Sequence, residues 1–588
     1  MSECAEDLSL CENRWQIADI DEEQRQKIEQ HYGLPFHVAG ILCARHVPFT
    51  EIENFIDPKI QKLMPDPYVI KDMQKGCERF VQAIINNENI GIIGDYDVDG
   101  ATSVSELYRF LHAVGRDAVI HIPSREEGYG PSSLAFAKFK EKQVKLVITI
   151  DCGTTAFDVL NKAAEDGFDV IVIDHHEAEV VLPKVFAVIN PKRLDEDNGI
   201  DYLPYMSAVG VGFMFLVAVN RQLRQEGFYQ AKEEPKLMDF LDLVALGTVC
   251  DVVPLLGLNR AYVKQGLKVM RAMHNVGLRR LFKKINLESA VTSYHLGFAI
   301  GPRINACGRI GDATLGYKLL CCDNDLEADE LAEKFNQFNT DRKEIENYVL
   351  LQAIEQLEGK AQKYPIAFVY GTDWHQGVIG IVAGKLKERY HVPSFVMSIE
   401  SDEVKGSARS IEGIDLGALI IAAKEKGVIK HGGGHVMAAG FSLDKEQIDD
   451  FYEFVGQYVV EHMGNEKMIP TLKIDLVVSL SAVTESFAEQ LSLLEPYGAQ
   501  NGEPLIMLTN VRIGSSQIVG SGHVRCTLTS PNGGYLQAIA FRCADNSLGQ
   551  TLLDHRGDLY DVVGDVKIDE WQGRKKVQFL ITDMKRKK

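Results

Sequence analysis

Carboxylate and imidazole side chains cluster at three points of the sequence, and each cluster comes directly after a short apolar run. The clusters are Asp95, Asp97 and Asp99 after Ile90–Ile93, Asp151 after Leu146–Ile150, and Asp174, His175 and His176 after Val170–Ile173. Carboxylate oxygens with some imidazole and no thiolate suit Mn²⁺ or Mg²⁺ better than zinc. These ligands are enough for two metal ions, the arrangement that serves in-line displacement at phosphorus.

A single aspartate at a strand–helix junction is usually a capping or turn residue. Capping does not account for three such junctions, one with Asp-x-Asp-x-Asp and another with Asp-His-His. Because like charges packed together are unfavourable, the clusters predict a cation that neutralises them. Asp251, which follows the apolar stretch Phe240–Leu246, is a further candidate ligand, although on its own it would be an ordinary loop residue.

The apolar runs predict the element that brings these groups together. Runs at 90–93, 119–122, 146–150 and 170–173 alternate with helix-like stretches, which is typical of a parallel sheet buried on both faces. Ligands of such sheets bind at the carboxyl ends of the strands. We therefore predict an α/β domain in which the three clusters meet at one edge of the sheet.

The whole sequence divides into regions that differ in the predicted type of secondary structure. We predict an N-terminal helical extension over 1–70, a catalytic α/β domain over 71–325, a connector helix over 326–358, a second α/β domain over 359–465 and a small β-barrel over 466–588. The connector is predicted because its apolar side chains recur at helical spacing without glycine or proline. Short strands with glycine- and asparagine-containing turns indicate the barrel.

Composition and charge narrow the function classes. The 588 residues include 63 Lys+Arg and 83 Asp+Glu, a net charge of −20, which argues against bulk attraction to nucleic acid but allows a local basic surface. The 11 cysteines follow no pattern, which indicates a reducing compartment and argues against a disulfide scaffold. The sequence has neither a signal-peptide h-region nor a run long enough to span a bilayer. We expect a cytoplasmic protein without a membrane partner.

Four motifs carry a resemblance to a known superfamily. Asp95-Tyr96-Asp97-Val98-Asp99-Gly100, Asp151-Cys152-Gly153, Asp174-His175-His176 and Gly247-Thr248-Val249-Cys250-Asp251 resemble, in order, the signature motifs of the DHH phosphoesterases. Three further motifs, within 301–309, 374–380 and 431–440, are similar to those of the branch that cuts single-stranded DNA from the 5′ end. The resemblance covers the chain from about residue 70. One departure is Asn501-Gly502-Glu503-Pro504, where that branch more often has Asn-Pro-x-Pro.

The resemblance implies a fold and a set of roles. The fold would be a parallel-sheet DHH domain, a long connector helix, a second α/β domain of the DHHA1 type and a C-terminal OB-like barrel. The metal shell would be Asp95, Asp97, Asp99, Asp151, His175 and Asp251, with Asp151 as the bridging carboxylate. His176 would face the scissile phosphate, and Asp174 would orient an imidazole. The catalytic set would be Asp97, Asp99, Asp151, His175, His176 and Asp251.

The same resemblance implies how DNA is held. The candidate binding residues are Arg125, Tyr129, Arg303, Asn305, Arg309, Trp374, His375, Ser407, Arg409, Ser410, Gly433, Gly434 and His435. The two arginines of the 303–309 motif are expected in a Gly-Pro-rich loop, where arginine suits phosphate; without the neighbouring motifs they would be incidental surface residues. Arg125 and Tyr129 could equally belong to a simple turn. The two α/β domains are expected to enclose a groove that admits a single strand and excludes a duplex.

The implied activity is 5′→3′ hydrolysis of single-stranded DNA to mononucleotides with Mn²⁺ or Mg²⁺, in DNA repair and recombination. A single-strand-binding protein and a helicase are implied partners, and a monomer fits the family. Two alternatives stay open. One is a phosphodiesterase for short RNA or cyclic dinucleotides, which the extra terminal domains disfavour. The other is a non-catalytic DNA-binding scaffold, which the complete ligand set disfavours.

Overall fold

The structure, a computed structural model, describes residues 8–125, 127–287, 289–359, 362–464, 469–554, 557–571 and 574–587. The chain folds into two compact units. The first unit is built from Gln16–Asn336 together with Lys473–Lys588, and the second from Met1–Trp15 together with Gln337–Leu472. Among the described residues, no helix combines the length and the apolar character needed to cross a lipid bilayer.

The N-terminal segment is mainly helical, as its sequence predicts. Its elements are β1 (Arg14–Ile17), α1 (Glu22–Tyr32), α2 (Phe36–Ala44), α3 (Ile52–Ile56) and α4 (Ile60–Leu63). Asp21 caps α1 by accepting hydrogen bonds from the Glu23 and Gln24 N–H groups, and Gly33 ends it with a left-handed φ of 64°. Prolines keep the helices short because they cannot continue a helix.

A five-stranded parallel sheet forms the centre of the first unit and confirms the predicted α/β fold. Its strands are β2 (Ile90–Gly94), β3 (Ala118–His121), β4 (Leu146–Ile150), β5 (Asp169–Ile173) and β6 (Ala187–Ile189), in the spatial order β3-β2-β4-β5-β6. All neighbouring pairs are parallel. The carboxyl ends of β2, β4 and β5 therefore lie next to one another at one edge.

Helices cover both faces of this sheet. One face packs on α5 (Met73–Asn86), α6 (Val98–Ala113) and α9 (Ala208–Gln225), and the other on α7 (Ser133–Glu141) and α8 (Phe157–Glu165). The first unit also contains α10 (Leu241–Cys250), α11 (Gly257–Arg271), α12 (Val276–Lys284), α13 (Ser293–His295), α14 (Gly301–Ile310) and α15 (Leu315–Leu320). Alternate strand residues enter two separate cores: Ile148 packs in the core with α5, α6 and α9, whereas Val147 packs in the core with α7 and α8. Burial on both faces explains why the strands are almost continuously apolar.

Helix α14 corrects one expectation from the sequence. Arg303, Asn305 and Arg309 lie on this helix, so the prediction of a Gly-Pro-rich loop is wrong. Pro302 stands at the start of α14, directly after a π-helical turn, and its fixed φ is compatible with the helix. A π-helical turn, Leu296–Ile300, joins α13 to α14.

The long helix α16 (Asp325–Glu358) runs over the region predicted as a connector. The second unit continues with β7 (Ala367–Thr372), α17 (Gln376–Tyr390), β8 (Ser394–Glu400), β9 (Glu403–Arg409), α18 (Leu416–Glu425), β10 (His431–His435), β11 (Ala438–Asp444) and α19 (Ile448–Met463). Its sheet has the order β10-β11-β9-β8-β7, with only β7 and β8 parallel. The glycine run therefore lies in the edge strand β10.

The C-terminal region of the first unit is a closed barrel, as predicted. Strand β12 (Thr471–Ile474) precedes it and pairs with β1 outside the barrel. The elements of the barrel region are β13 (Leu476–Val478), α20 (Glu485–Leu491), β14 (Ile506–Val519), β15 (His523–Thr529), β16 (Tyr535–Ala540), α21 (Ser547–Leu553), β17 (Tyr560–Trp571) and β18 (Arg574–Arg586). The strand order is β13-β14-β15-β16-β18-β17, and a further pairing of β14 with β17 closes the barrel.

Candidate metal centre

Seven side chains come together at the carboxyl edge of the parallel sheet, and we refer to them as the metal centre. They are Asp95, Asp97, Asp99, Asp151, His175, His176 and Asp251. Their ligand atoms form three groups, Asp95/Asp97/Asp151, Asp99/His175/Asp251 and Asp151/His175/His176, and the atoms within each group lie within 4.8 Å of one another. Because Asp151 and His175 each belong to two groups, the three groups form one continuous site.

His175 stands at the middle of the centre. Its Nε2 lies 3.3 Å from an Asp151 carboxylate oxygen and 3.8 Å from one of Asp99, while its Nδ1 lies 3.6 Å from Asp251. Asp251 arrives from the C-terminal end of α10 rather than from a strand. Both ring nitrogens thus face carboxylates, the surroundings expected of an imidazole that binds a cation shared with them.

The loop after β2 is shaped by close backbone approach. Asp97 is the N-cap of α6, and its Oδ1 accepts a hydrogen bond of 3.0 Å from the Gly100 N–H. A Cβ atom on Gly100 would lie 2.4 Å from the Asp95 carbonyl oxygen, so only glycine fits there. Asp151 has a left-handed φ of 62°, an uncommon conformation for an aspartate and one that clusters at functional sites.

Asp99 is held by the start of a second helix. Its two carboxylate oxygens accept hydrogen bonds from the Ala208 N–H at 2.7 Å and the Val209 N–H at 3.1 Å, at the N-terminus of α9. The partial positive charge of a helix N-terminus favours a carboxylate there. Helix α10 can approach because it has glycine at 247, where a Cβ atom would lie 2.8 Å from the Asp99 carboxylate.

Asp174 contacts His176, a member of the metal centre, and holds its imidazole in place. Its Oδ1 lies 2.7 Å from His176 Nδ1, and its Oδ2 accepts a hydrogen bond of 2.9 Å from the Thr154 N–H. Burial alone would raise the pKa of Asp174, but the contacts with His176, the nearby His175 and the Thr154 N–H together lower that pKa. Burial likewise opposes a charge on His176, yet Asp174 raises the pKa of that imidazole overall. Asp174 therefore favours an oriented, protonated His176.

Electrostatics support a cation at this centre. Burial, reinforced by the other carboxylates, raises the pKa of Asp95, Asp151 and Asp251, and raises the pKa of Asp99 to about 7. Burial lowers the pKa of His175 to about 3. Asp95 Oδ1 and His175 Nε2 are buried without a hydrogen-bond partner. Unpaired buried acceptors beside clustered carboxylates fit Mn²⁺ or Mg²⁺, because a divalent cation satisfies both.

Two of the predicted DNA-binding residues lie close to the metal centre. The Tyr129 hydroxyl donates a hydrogen bond of 2.9 Å to the Asp151 carbonyl oxygen and lies 3.2 Å from His176 Nε2. Arg125 lies with its guanidinium 4.3 Å from the centroid of the Tyr96 ring and donates from Nε to the Gly308 carbonyl at 2.7 Å. Tyr129 remains half exposed, with 51% of its surface accessible, so its ring is available to a ligand.

The predicted residues of α14 also belong to the first unit. Arg303 donates from Nη1 to the Ala299 carbonyl at 2.7 Å and from Nη2 to Asn336 Oδ1 at 3.2 Å, which fixes the direction of its side chain. Burial lowers the pKa of its guanidinium. Asn305 and Arg309 follow within the next two turns of the same helix. The three residues thus share one rigid element.

The other predicted residues lie in the second unit, and not all of them are on its surface. Trp374 is buried and donates from Nε1 to Gln352 Oε1 at 2.6 Å, and Ser410 is buried with its hydroxyl donating to the Ile414 carbonyl. His375 caps α17 by accepting a hydrogen bond from the Gly377 N–H at 3.0 Å. Trp374 and Ser410 therefore support their neighbours from within.

The predicted residues of the second unit that are exposed or partly exposed are His375, Ser407, Arg409, Gly433, Gly434 and His435. Arg409 donates from Nη1 to Ser407 Oγ at 3.2 Å, which couples two of the predicted residues on β9. Burial lowers the pKa of the Arg409 guanidinium. Gly433 has open space where a Cβ atom would stand, so its backbone can be approached closely.

Sequence reasoning missed one supporting residue. Asn190 follows β6 and is fully buried; its Nδ2 donates to Thr154 Oγ1 at 2.9 Å and to the His176 carbonyl oxygen at 2.9 Å. These bonds fix the backbone that carries the imidazole. The signal was present, because Asn190 follows the apolar run Ala187-Val188-Ile189 just as the acidic clusters follow theirs.

Comparison with known proteins agrees with this geometry. The family model for the DHH family N-terminal domain matches residues 89–248, that for the DHHA1 domain matches 362–461, and that for the RecJ OB domain matches 474–583. The parallel sheet and the acidic and imidazole ligands at its edge therefore define a DHH-family protein. The class predicted from the four motifs is confirmed.

Whole-chain relatives identify the family more closely. The single-stranded-DNA-specific exonuclease RecJ of Dickeya dadantii is 35% identical over 88% of this chain and 91% of its own length. The RecJ of Bacillus subtilis is 32% identical over 97% of this chain and 70% of its own length. The crystal structure of RecJ from Thermus thermophilus in complex with Mn²⁺ has a TM-score of 0.80 and 26% identity, covering 98% of this chain and 80% of that one. The chain belongs to the RecJ family.

Proposed function

We propose that the protein is a metal-dependent exonuclease that degrades single-stranded DNA. The observation that carries the proposal is the gathering of carboxylates and imidazoles from separate parts of the chain at one sheet edge. Membership of the RecJ family supports it, because the relatives that match the whole chain are named single-stranded-DNA-specific exonucleases. We further propose 5′→3′ polarity with mononucleotide products, in DNA repair and recombination.

The ligand set assigns the roles in metal binding. Asp95, Asp97, Asp99, Asp151, His175 and Asp251 would hold Mn²⁺ or Mg²⁺. Asp151 is suited to bridge two ions because it belongs to two ligand groups and its carboxylate offers two oxygens. The chemistry supplied there by bound divalent cations is neutralisation of phosphate charge and activation of a water molecule. The side chains need to remain deprotonated for this, which a bound cation promotes.

His176 contributes through its own charge. Its side chain is 47% exposed while Asp174 fixes its Nδ1, so Nε2 can be presented to a phosphate oxygen. A protonated imidazole in that position would donate a hydrogen bond to the scissile phosphate and stabilise the charge that develops there. The neighbouring Tyr129 hydroxyl restricts the ring from the other side.

The strand would be held by arginines and by close backbone contacts. Arg125, Arg303 and Arg309 offer guanidinium groups for phosphate in the first unit, and Arg409 with the backbone of Gly433 does so in the second. The OB-like barrel would serve as an additional single-strand platform. Because these contacts are largely ionic, we expect binding to weaken steeply as salt is added, whereas a flat response would contradict them.

The test of activity and polarity uses long single strands blocked at either the 5′ or the 3′ end. We expect Mn²⁺- or Mg²⁺-dependent release of mononucleotides from the 3′-blocked strand, none from the 5′-blocked strand and none with chelator. Asp97→Ala and His175→Ala should abolish release, while Asp117→Ala, directly before β3 on the opposite edge, should not. Release from the 5′-blocked strand, faster cutting of a dinucleotide or retained turnover in Asp97→Ala would contradict the proposal.

We propose the cytoplasm as the compartment and a monomer as the working form. The ten described cysteines carry no disulfide, which agrees with a reducing compartment. A single-strand-binding protein and a helicase are the partner classes we propose. Sedimentation of the purified chain tests the monomer, and co-sedimentation with each partner class tests the association.

A further inference from the structure

Two aromatic rings are presented to solvent on the segment that precedes α14. Tyr294 is 59% exposed and Phe298 is 73% exposed, and the rings stack with centroids 5.0 Å apart and an interplanar angle of 27°. Single exposed apolar side chains are common and need no explanation. A stacked pair is different, because it fixes a flat apolar surface in one orientation.

The segment that carries this pair packs on the helix end that leads to Asp251. Leu296 and Gly297, in the π-helical turn between the rings, pack on the last turn of α10: Cys250 Sγ lies 3.5 Å from the Leu296 carbonyl oxygen, and a Cβ atom on Gly297 would lie 3.6 Å from Val249 Cγ1. Asp251 follows directly. Single π-helical turns within helices often occur at functional sites. The π-helical turn therefore connects the two rings to the end of α10, which carries Asp251.

A second unusual feature lies at the same place. Val252, next to Asp251, has a left-handed φ of 58° and is 70% exposed. A β-branched residue in that region of backbone space is strained, and its position after the end of α10 is one that glycine usually takes. Backbone strain of this kind persists mainly at functional sites. An exposed apolar side chain thus follows the candidate metal ligand Asp251 directly in the chain.

We propose that Tyr294 and Phe298 form a stacking platform for an unpaired nucleobase of the strand being cut. The inference rests on the proposed function and names the part of the substrate that this surface takes. The same continuous helix carries Arg303 one turn further on, so an apolar face for a base and a guanidinium for a phosphate lie on one element. That pairing of groups matches a nucleotide, because each nucleotide joins a flat apolar base to a charged phosphate.

The test is a double-mutant cycle between the protein and the DNA. Binding of a 3′-labelled, 5′-phosphorylated single strand is measured by fluorescence anisotropy in chelator, and one abasic site is moved through the first several positions. For the unsubstituted chain we expect one position, or two adjacent ones, at which removing the base weakens binding about tenfold. In Phe298→Ala that loss should disappear, while losses at other positions remain. Phe298→Leu, which restores apolar bulk without a π face, should recover only part of it.

Ile85→Ala is the matched control, because Ile85 is an exposed apolar residue at the end of α5, which leads into the opposite edge of the sheet. It should keep the abasic profile of the unsubstituted chain. If the abasic profile of Phe298→Ala is the same as that of the unsubstituted chain, the platform is overturned. A surface that binds a protein partner instead of a base would give this result. Failure of the proposed function is distinguished by a separate result, namely the absence of metal-dependent degradation by the unsubstituted chain.

Discussion

A buried acid beneath the metal centre provides a quantitative test of the packing. Glu106 lies on α6, is fully buried, and neither of its carboxyl oxygens has a hydrogen-bond partner among the described residues. Helix α9 has glycine at 212 to accommodate it, because a Cβ atom there would meet Glu106 Oε1 at 2.2 Å. Burial, and then the charge of Asp99, raises the pKa of Glu106 well above its ordinary 4.5.

The consequence for stability has a definite sign. Below pH 4.5 the carboxyl is protonated in both folded and unfolded chains, so it favours neither. As pH rises above 4.5, the unfolded chain gains charge freely while the folded chain does not, and the free energy of unfolding falls by about 1.4 kcal/mol per pH unit. A carboxyl that stays protonated in the folded chain up to pH 7 loses about 3 kcal/mol there, which is the upper bound. Glu106→Gln cannot ionise and should avoid this loss.

The assay is urea unfolding in chelator between pH 4.5 and pH 7 for the unsubstituted chain, for Glu106→Gln and for Glu141→Gln, an exposed control on α7. We expect the Glu106→Gln substitution to become progressively more favourable with pH, by at most about 3 kcal/mol over the range. The control should stay within about 0.5 kcal/mol of the unsubstituted chain. A difference between Glu106→Gln and the unsubstituted chain that does not change with pH would refute the reasoning.

Three further substitutions test other contacts. Gly308→Ala would place a Cβ atom 2.2 Å from the Tyr96 carbonyl oxygen; we expect a loss of about 1–3 kcal/mol in urea unfolding and weaker Mn²⁺ binding by calorimetry. Arg260→Met removes a buried guanidinium that donates to four backbone carbonyls; we expect a loss of at least about 3 kcal/mol and faster proteolysis of the N-terminal segment. Asp174→Asn removes the charge that raises the pKa of His176, so His176 should lose its proton at a lower pH. In a pH–rate profile, the decrease in the rate of DNA cleavage with rising pH should therefore begin at a lower pH than in the unsubstituted chain.

The sequence predicted the catalytic fold and the gathering of ligands because both follow from one regular feature. Parallel strands are apolar throughout, so acidic residues at their ends, such as Asp95 and Asp151, stand out and must meet at one edge. Asp251 carried a weaker signal, because it ends a helix rather than a strand and on its own would be an ordinary loop residue.

Other features depend on tertiary packing and could not be predicted in this way. The Gly301-Pro302 sequence suggested a loop, but proline at the first turn is compatible with a helix, and only the packing of the preceding π-helical turn on α10 decides between the two. Glu106 has the residue type of an exposed helix position, and its burial depends on a glycine in α9 that is distant in sequence. The stacked pair Tyr294 and Phe298 belongs to none of the sequence motifs that indicated the site.

Anomalous diffraction from crystals grown with Mn²⁺ tests the central claim most directly. The claim is that Asp97, Asp151, His175 and Asp251 hold divalent cations together at one sheet edge. We predict two anomalous peaks, each within bonding distance of these side chains, with Asp151 contacting both. Peaks elsewhere in the chain, or ligands that point away from a shared ion, would contradict the account.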